Sequence, residues 1–239
     1  MPKSFLVDTS RCTACRGCQV ACKEWKELPP NNTKQWGSHQ NPPDLNAYNF
    51  KLVRFSEHLL DNVVRWYFFP DQCRHCLTPP CQATATAADA IIQDEATGAV
   101  IFTEKTKNED FEAIRESCPY NIPRKDEKTG CIVKCDMCID RVRAGMLPMC
   151  VKSCAMGAMH FGERDDILKK AEARLVQVKK EFPKAQIVDA PYVNVVFLVL
   201  DEPALYHDHA VACGPEALTR QQWLAQLSRP FKSIVQGRV

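Results

Sequence analysis

The sequence predicts an α+β fold in which two small cysteine-rich modules are held together largely by bound metal. Three observations lead to this prediction: fourteen cysteines occur in 239 residues, they are grouped at short intervals, and strand-like and helix-like segments lie between and after the groups. The hydrophobic content of 45% is sufficient for one compact core. The formal charge of +2 gives no reason to expect a nucleic-acid partner.

The first element is a run of four cysteines, Cys12-Thr-Ala-Cys15-Arg-Gly-Cys18-Gln-Val-Ala-Cys22. This C-x2-C-x2-C-x3-C spacing binds a [4Fe-4S] cluster in bacterial ferredoxins, where the fourth cysteine ligates the other cluster of a pair. Three thiolates two residues apart let one tight loop reach three corners of a cube, while the following turn carries the fourth cysteine away. The spacing therefore predicts an electron carrier whose cluster ligands come from distant parts of the chain.

Three further cysteine groups complete the pattern. Pairing the first group with the last gives one [4Fe-4S] cluster on Cys12, Cys15, Cys18 and Cys154, and a second on Cys22, Cys135, Cys138 and Cys150. The middle of the chain supplies a third cluster on Cys73, Cys76, Cys81 and Cys118. The sequence thus predicts three [4Fe-4S] clusters with these twelve cysteines as the iron ligands.

A fourth cluster is not expected, because all four of its ligand positions lack cysteine. By analogy with the first module, its ligands would stand four residues after Cys81 and ten, seven and four residues before Cys118. Those positions hold Ala85, Asn108, Phe111 and Ile114. None of these side chains can bind iron as a thiolate.

The cysteine pairing also predicts the domain organisation. Residues 1–26 and 130–162 form a ferredoxin-like module with two clusters, and residues 68–129 form a second such module with one cluster, in a pseudo-symmetric arrangement. Residues 27–67 are an insertion, marked by Pro29-Pro30 and Pro42-Pro43, and we expect it to be an interface. Residues 163–239 are a C-terminal helix-strand-helix extension that packs on the core.

Several elements follow from local patterns. Residues 52–56 and 64–69 predict paired strands, residues 94–98 predict a hairpin turn before a strand at 100–102, and residues 125–130 predict a charged turn. Apolar residues at helical spacing predict an amphipathic helix over 163–182. Residues 192–200 predict a buried strand, since nine residues are too few to cross a bilayer. We therefore expect no membrane span.

Other uses of the cysteines are less consistent with their spacing. Structural zinc is the main alternative, but the uninterrupted run from Cys12 to Cys22 does not divide into zinc-binding pairs. Cysteines two residues apart form disulfides poorly. Cys131, Cys135 and Cys138 match the loop of radical S-adenosylmethionine enzymes, yet too few residues follow for a barrel. Cys131 stays a possible competitor for a ligand position, and Cys213 is expected to be an ordinary thiol.

Four basic residues stand between or beside the ligand cysteines: Arg16, Arg74, His75 and Lys152. A positive charge at such positions favours the reduced, more negative form of a cluster. The alternative is that these side chains point to solvent or to a partner subunit.

Three stretches carry a resemblance to a known family. The run 131–162, with Lys134-Cys135-Asp136-Met137-Cys138-Ile139-Asp140-Arg141-Val142, Gly145, Pro148 and Phe161-Gly162, resembles the iron-sulfur subunits of the molybdopterin oxidoreductase family. The segments Cys73-Arg74-His75-Cys76-Leu77-Thr78-Pro79-Pro80-Cys81 and Cys118-Pro119-Tyr120 resemble the same family. Together the resemblance covers about residues 4–162. Lys23 and Ala155 are departures from the family pattern, in which a proline often follows the fourth cysteine of a motif.

Within this family, Ala21-Cys22-Lys23-Glu24-Trp25 and Gly37-Ser38-His39-Gln40-Asn41-Pro42-Pro43 most resemble the beta subunit of formate dehydrogenase, as in the soluble tungsten or molybdenum enzymes of sulfate-reducing bacteria. The resemblance implies a heterodimer in which a pterin-containing tungsten or molybdenum subunit oxidises formate. This chain would have no catalytic site and would pass electrons to an acceptor such as a multihaem cytochrome c. The alternative is the same type of subunit serving a thiosulfate, nitrite or sulfoxide reductase.

The location is inferred from the same resemblance. The first cluster motif begins about a dozen residues from the start of the sequence, which leaves no room for a signal peptide and taken alone favours the cytoplasm. The enzymes that the chain resembles are exported in the folded state, with the signal on the catalytic subunit. We therefore expect a periplasmic protein that is exported with its partner, with the cytoplasm as the alternative.

Overall fold

The computed structural model describes residues 2–212 of the chain. Most strands in this part have two to six residues, and two strands of one hairpin have nine each. Their bounds are β1 (Lys3–Asp8), β2 (Leu52–Leu60), β3 (Val63–Asp71), β4 (Ile91–Gln93), β5 (Val100–Phe102), β6 (Arg124–Lys125), β7 (Ile132–Val133), β8 (Met159–Glu163), β9 (Gln186–Val188) and β10 (Val195–Val199).

The helices of the described part are also short, except for one near its end. Their bounds are α1 (Gly17–Trp25), α2 (Pro80–Thr84), α3 (Phe111–Ser117), α4 (Ile139–Arg143), α5 (Met149–Lys152) and α6 (Arg164–Val178). Single 3-10 turns occur at Thr9–Arg11, Glu104–Asn108 and Pro203–Leu205. The observed mixture confirms the predicted α+β class.

A four-stranded sheet joins the two ends of the described chain in the order β8-β1-β10-β9. β1 pairs in parallel with β10, Phe5 opposite Val195, and antiparallel with β8, Phe5 opposite Phe161. Every residue of β10 is buried, which fits a strand covered on both faces. The predicted buried strand is therefore confirmed, and it lies beside the first strand of the chain.

The two faces of this sheet pack against different partners. Leu6 and Leu198 face α6, where they meet Ile167 and Ala171. Phe5, Val7, Val195 and Phe197 point the other way, into the core that contains the first cysteine loop. α6 confirms the predicted amphipathic helix, although its apolar stripe packs on the sheet. The last helix of the predicted extension lies outside the described residues.

The predicted hairpins are also confirmed. β2 and β3 pair antiparallel along their whole length, from Leu52 opposite Asp71 to Leu60 opposite Val63. The loop between them, Asp61-Asn62, has positive φ at both residues, which is the conformation that a two-residue type I′ turn requires. β4 pairs with β5 across the predicted turn. The charged turn 125–130 connects β6 to β7.

Candidate iron-sulfur sites

The first three predicted ligands lie in the tight loop that leads into α1. Ala14 and Arg16, the residues next to Cys15, both have positive φ, and these reversals fold the loop on itself. Cys12, Cys15, Cys18 and the distant Cys154 line one cavity of about 340 Å³. The structure therefore brings together the four residues that the sequence assigns to the first cluster.

A second cavity of nearly the same size, about 350 Å³, is lined by Cys73, Cys76, Cys81 and Cys118. Cys81 lies on α2, and Cys118 caps the end of α3. His75 has positive φ and its amide donates a hydrogen bond to Cys73 Sγ at 3.4 Å. These are the four residues assigned to the third cluster, and 37 residues of sequence separate Cys81 from Cys118.

The remaining four cysteines gather where α1 packs against α5. Burial raises the pKa of Cys22, and the thiols of Cys150 and Cys138 raise it further. Burial likewise raises the pKa of Cys135, with Cys22 as the next contributor. Met137 and Cys138 have positive φ, so this loop is reversed like the first. The group matches the predicted second cluster.

The second group lies between the other two. It is joined to the first group by α1, which carries both Cys18 and Cys22, and by α5, which carries Cys150 and ends just before Cys154. On its other side, Cys135 Sγ lies 3.7 Å from Nε2 of His75, which stands between Cys73 and Cys76 of the third group. The twelve thiols thus form a row of three groups through the protein.

The donor chemistry of these groups fits iron-sulfur clusters. Two thiolates on one zinc ion, each at about 2.3 Å from the metal, are at most about 4.6 Å apart. Within residues 2–212, no three or more His, Cys, Asp or Glu side chains are arranged to hold a single metal ion. In a cubane each thiolate binds a different iron, so its ligands stand farther apart. Burial opposes ionisation of these thiols, and metal ligation removes that penalty.

The positions that correspond to a fourth cluster are packed with apolar side chains. Ala85, Phe111 and Ile114 belong to one hydrophobic cluster together with Cys81. Asn108 lies on the surface at the end of the 3-10 turn. Side chains therefore fill the space beside the third group.

His75 connects the third group to the second. The imidazole is fully buried, and its Nδ1 accepts a hydrogen bond from the amide of Val100 at 3.0 Å. Nε2 therefore carries the proton, and it lies 3.7 Å from Cys135 Sγ. Burial, assisted by Lys134, lowers the pKa of His75 well below its usual value. The expectation of a positive charge at His75 is wrong; the ring is a neutral hydrogen-bond donor to sulfur.

The other three basic side chains between or beside the ligand cysteines have other partners or are exposed. Arg74 is buried and pairs with Asp71 at 2.9 Å, and its guanidinium lies over the rings of Phe69, Tyr120 and Phe197. Arg16 donates to the carbonyl of His39, and Lys152 is exposed. Asp71 balances the charge of Arg74. The exposed side chain of Lys152 fits the alternative interpretation, in which these side chains point to solvent or to a partner subunit.

Two buried lysines, Lys51 and Lys134, supply positive charge near the cysteines. The sequence patterns did not indicate a role for Lys51. Lys51 Nζ donates to the carbonyl of Pro70 at 3.1 Å and to Gln72 Oε1 at 2.7 Å. Lys134 Nζ donates to the carbonyls of Val100 and Cys135 and lines the cavity of the third cysteine group. Lys51 precedes a strand in the predicted insertion, so only the tertiary fold reveals its surroundings.

The two cysteines without a predicted ligand role are placed as follows. Cys131 lines a separate groove with Thr103, Lys107 and Asp126, and its Sγ lies 3.7 Å from the carbonyl oxygen of Glu104. Cys213 lies outside the described residues. Within residues 2–212, no helix has the length and apolar character needed to cross a membrane.

Comparisons with known proteins indicate an iron-sulfur protein. A family described as a 4Fe-4S dicluster domain matches residues 64–164. The chain is 58% identical over 216 residues to "Formate dehydrogenase 2 subunit beta (cytochrome c-553)" of Nitratidesulfovibrio vulgaris, covering 88% of this chain and 99% of that one. It is 52% identical over 215 residues to the formate dehydrogenase subunit beta of Megalodesulfovibrio gigas, covering 89% and 100%.

A more distant relative extends the same assignment. The nitrate-inducible formate dehydrogenase iron-sulfur subunit of Escherichia coli is 36% identical over 208 residues, covering 84% of this chain and 70% of the relative. The identities and coverage, together with the cysteine groups, show that the chain belongs to the family of formate dehydrogenase beta, or iron-sulfur, subunits, and is an electron-transfer subunit without a catalytic role.

Proposed function

We propose that the chain carries electrons through three [4Fe-4S] clusters arranged in a row. The first is held by Cys12, Cys15, Cys18 and Cys154, the second by Cys22, Cys135, Cys138 and Cys150, and the third by Cys73, Cys76, Cys81 and Cys118. The observation that carries this proposal is the convergence of cysteines distant in sequence into three groups of four. Each cluster, when bound, accepts and releases one electron at a time.

The surroundings of the third group support the proposed count of three clusters. The apolar packing of Ala85, Phe111 and Ile114 against Cys81 offers neither space nor thiolates for a fourth cluster. We therefore propose two ferredoxin-like modules in a pseudo-symmetric arrangement, of which residues 1–26 and 130–162 hold two clusters and residues 68–129 hold one. Residues 163–239 form the C-terminal extension, and its strands β9 and β10 complete the sheet that begins with β1.

The protein controls the clusters through the groups that surround them. Backbone amides donate to Cys73 and Cys154, and the His75 imidazole donates to Cys135. Hydrogen bonds to ligand sulfur stabilise the more negative, reduced cluster and so raise its potential. Of the twelve ligand cysteines, six are buried, five are half-buried and one, Cys15, is exposed.

We propose a heterodimer with a pterin-containing tungsten or molybdenum subunit that oxidises formate. The insertion, residues 27–67, is the proposed contact surface. Its hairpin exposes Leu59, Val63, Val64 and, at 55% exposure, Trp66, and clustered exposed apolar side chains are typical of protein interfaces. A cytochrome c is the proposed electron acceptor, since the relative from Nitratidesulfovibrio vulgaris carries cytochrome c-553 in its name. We place the complex in the periplasm.

Purification of this chain from its native source tests the proposal. We expect a pterin-containing partner to copurify, and the complex to reduce a dye and a cytochrome c with formate as the donor. A complex that responds to thiosulfate, nitrite or a sulfoxide but not to formate would instead assign the chain to another pterin enzyme. Zinc in place of iron would exclude electron transfer altogether.

A further inference from the structure

Lys51 is a buried cation beside two of the three cysteine groups. It lies immediately before β2 and is only 2% exposed. Its ammonium donates to the carbonyl of Pro70 and to Gln72 Oε1, both neutral acceptors. Burying a lysine is costly, so its retention at this position calls for a compensating interaction.

The location of Pro70 and the contacts of the strand that follows Lys51 show what that interaction is. Pro70 lines the same cavity as Cys12, Cys15, Cys18 and Cys154, so the ammonium lies at the wall of the first site. Two residues after Lys51, the amide of Val53 donates a hydrogen bond to Gln19 Oε1 at 3.1 Å. Gln19 lies on α1 between Cys18 of the first group and Cys22 of the second. Lys51 therefore lies beside the junction of the first and second groups.

The third group has a separate cation. Lys134 is buried and lines the cavity of Cys73, Cys76, Cys81 and Cys118. Its contact with the carbonyl of Cys135 also brings it close to the second group. Lys51 thus lies beside the first and second groups, and Lys134 lies beside the second and third.

We propose that the buried positive charge of Lys51 raises the reduction potentials of both the first and the second cluster. Reduction adds negative charge to a cluster, and a nearby cation in a dry interior stabilises that charge far more than it would in water. The proposal rests on the cluster assignment given under the proposed function.

Redox titrations of the whole complex, monitored by electron paramagnetic resonance, test this proposal. In Lys51→Met, two of the three potentials of this chain are expected to fall by at least about 59 mV, a tenfold weaker reduction for a one-electron couple. The remaining potential should stay at its wild-type value. Lys51→Arg, which keeps the charge, should restore both potentials to near wild type.

Lys134→Met is the matched control. It is expected to lower the one potential that Lys51→Met leaves unchanged, which identifies the third cluster. Because Lys134 also contacts the carbonyl of Cys135, the second potential should fall in both variants, and the first potential only in Lys51→Met. If Lys51→Met does not assemble, Lys51→Gln, which keeps a donor for Pro70 and Gln72 without the charge, carries the test.

Two outcomes are distinguishable. Three clusters with unchanged potentials in the uncharged Lys51 variants, or a uniform fall of all three, would overturn the role of Lys51 alone. A wild-type complex in which this chain shows fewer or more than three clusters would overturn the cluster assignment itself.

Discussion

Replacing Cys135 with alanine is expected to remove the middle cluster and to stop electron flow through the chain. Cys135 belongs to the group that lies between the other two, and its Sγ lies 3.7 Å from Nε2 of His75, the residue between Cys73 and Cys76 of the third group. Losing it leaves a cubane with three protein ligands and a break in the centre of the row. The complex should contain about four fewer irons, and formate-dependent reduction of cytochrome c should be lost.

Cys131→Ala is the matched control for this substitution. Cys131 is four residues earlier in the chain, and its sulfur faces the carbonyl of Glu104 in a separate groove. We expect the Cys131→Ala complex to keep its full iron content and its rate of cytochrome c reduction. Iron loss in Cys131→Ala with normal iron in Cys135→Ala would mean that the roles of these two cysteines are exchanged.

Replacing Asp71 with alanine is expected to lower the free energy of unfolding by about 3–5 kcal/mol, the cost of breaking a buried ion pair on one side. Asp71 is 0% exposed and pairs with Arg54 at 2.7 Å and Arg74 at 2.9 Å. The change would leave a buried guanidinium on Arg74 without a counter-charge beside the third cysteine group. Guanidinium unfolding of the complex, followed by circular dichroism and cluster absorbance, measures the effect.

The control for Asp71 is the surface pair of Asp89 and Lys105, both well exposed. Exposed ion pairs contribute little to stability, so Asp89→Ala should leave the unfolding midpoint unchanged. Equal midpoints for Asp71→Ala and wild type would show that Asp71 does not hold the hairpin, the third cysteine loop and the sheet together.

The same carboxylate gives stability a dependence on pH. Burial alone would raise the pKa of Asp71, but Arg74 and Arg54 outweigh it and hold the pKa below its ordinary value. Its contribution is therefore fully present above the unfolded-state pKa of about 3.9 and is lost as the pH falls through the lower folded-state value. Asp71→Ala should lose this acid-dependent part of the unfolding transition.

Local spacing allowed the cysteine groups, the hairpins and α6 to be predicted, because each depends on residues close together in sequence. The pairing of Cys154 with the first loop also followed, since the ferredoxin pattern specifies which distant motif supplies the fourth ligand. The parallel pairing of β1 with β10 was not predictable. These strands are separated by most of the chain, and neither carries a signal that names its partner.

The charges around the clusters were the least predictable feature. Arg74 and His75 adjoin ligand cysteines, but Asp71 neutralises the first and burial keeps the second uncharged. Lys51 is 22 residues from Cys73 and 29 from Cys22 in sequence, yet the β2–β3 hairpin folds it against the first two groups. Sequence proximity to a ligand was therefore a poor guide to electrostatic influence.

An anomalous difference map of the crystallised complex at the iron absorption edge tests the central claim most directly. The account predicts three cubane peaks in this chain, with Cys154 at the first and Cys22 at the second. The Ala85, Phe111 and Ile114 cluster should show no iron. A fourth peak beside those residues, or Cys22 and Cys154 bound to the same cubane, would contradict the account.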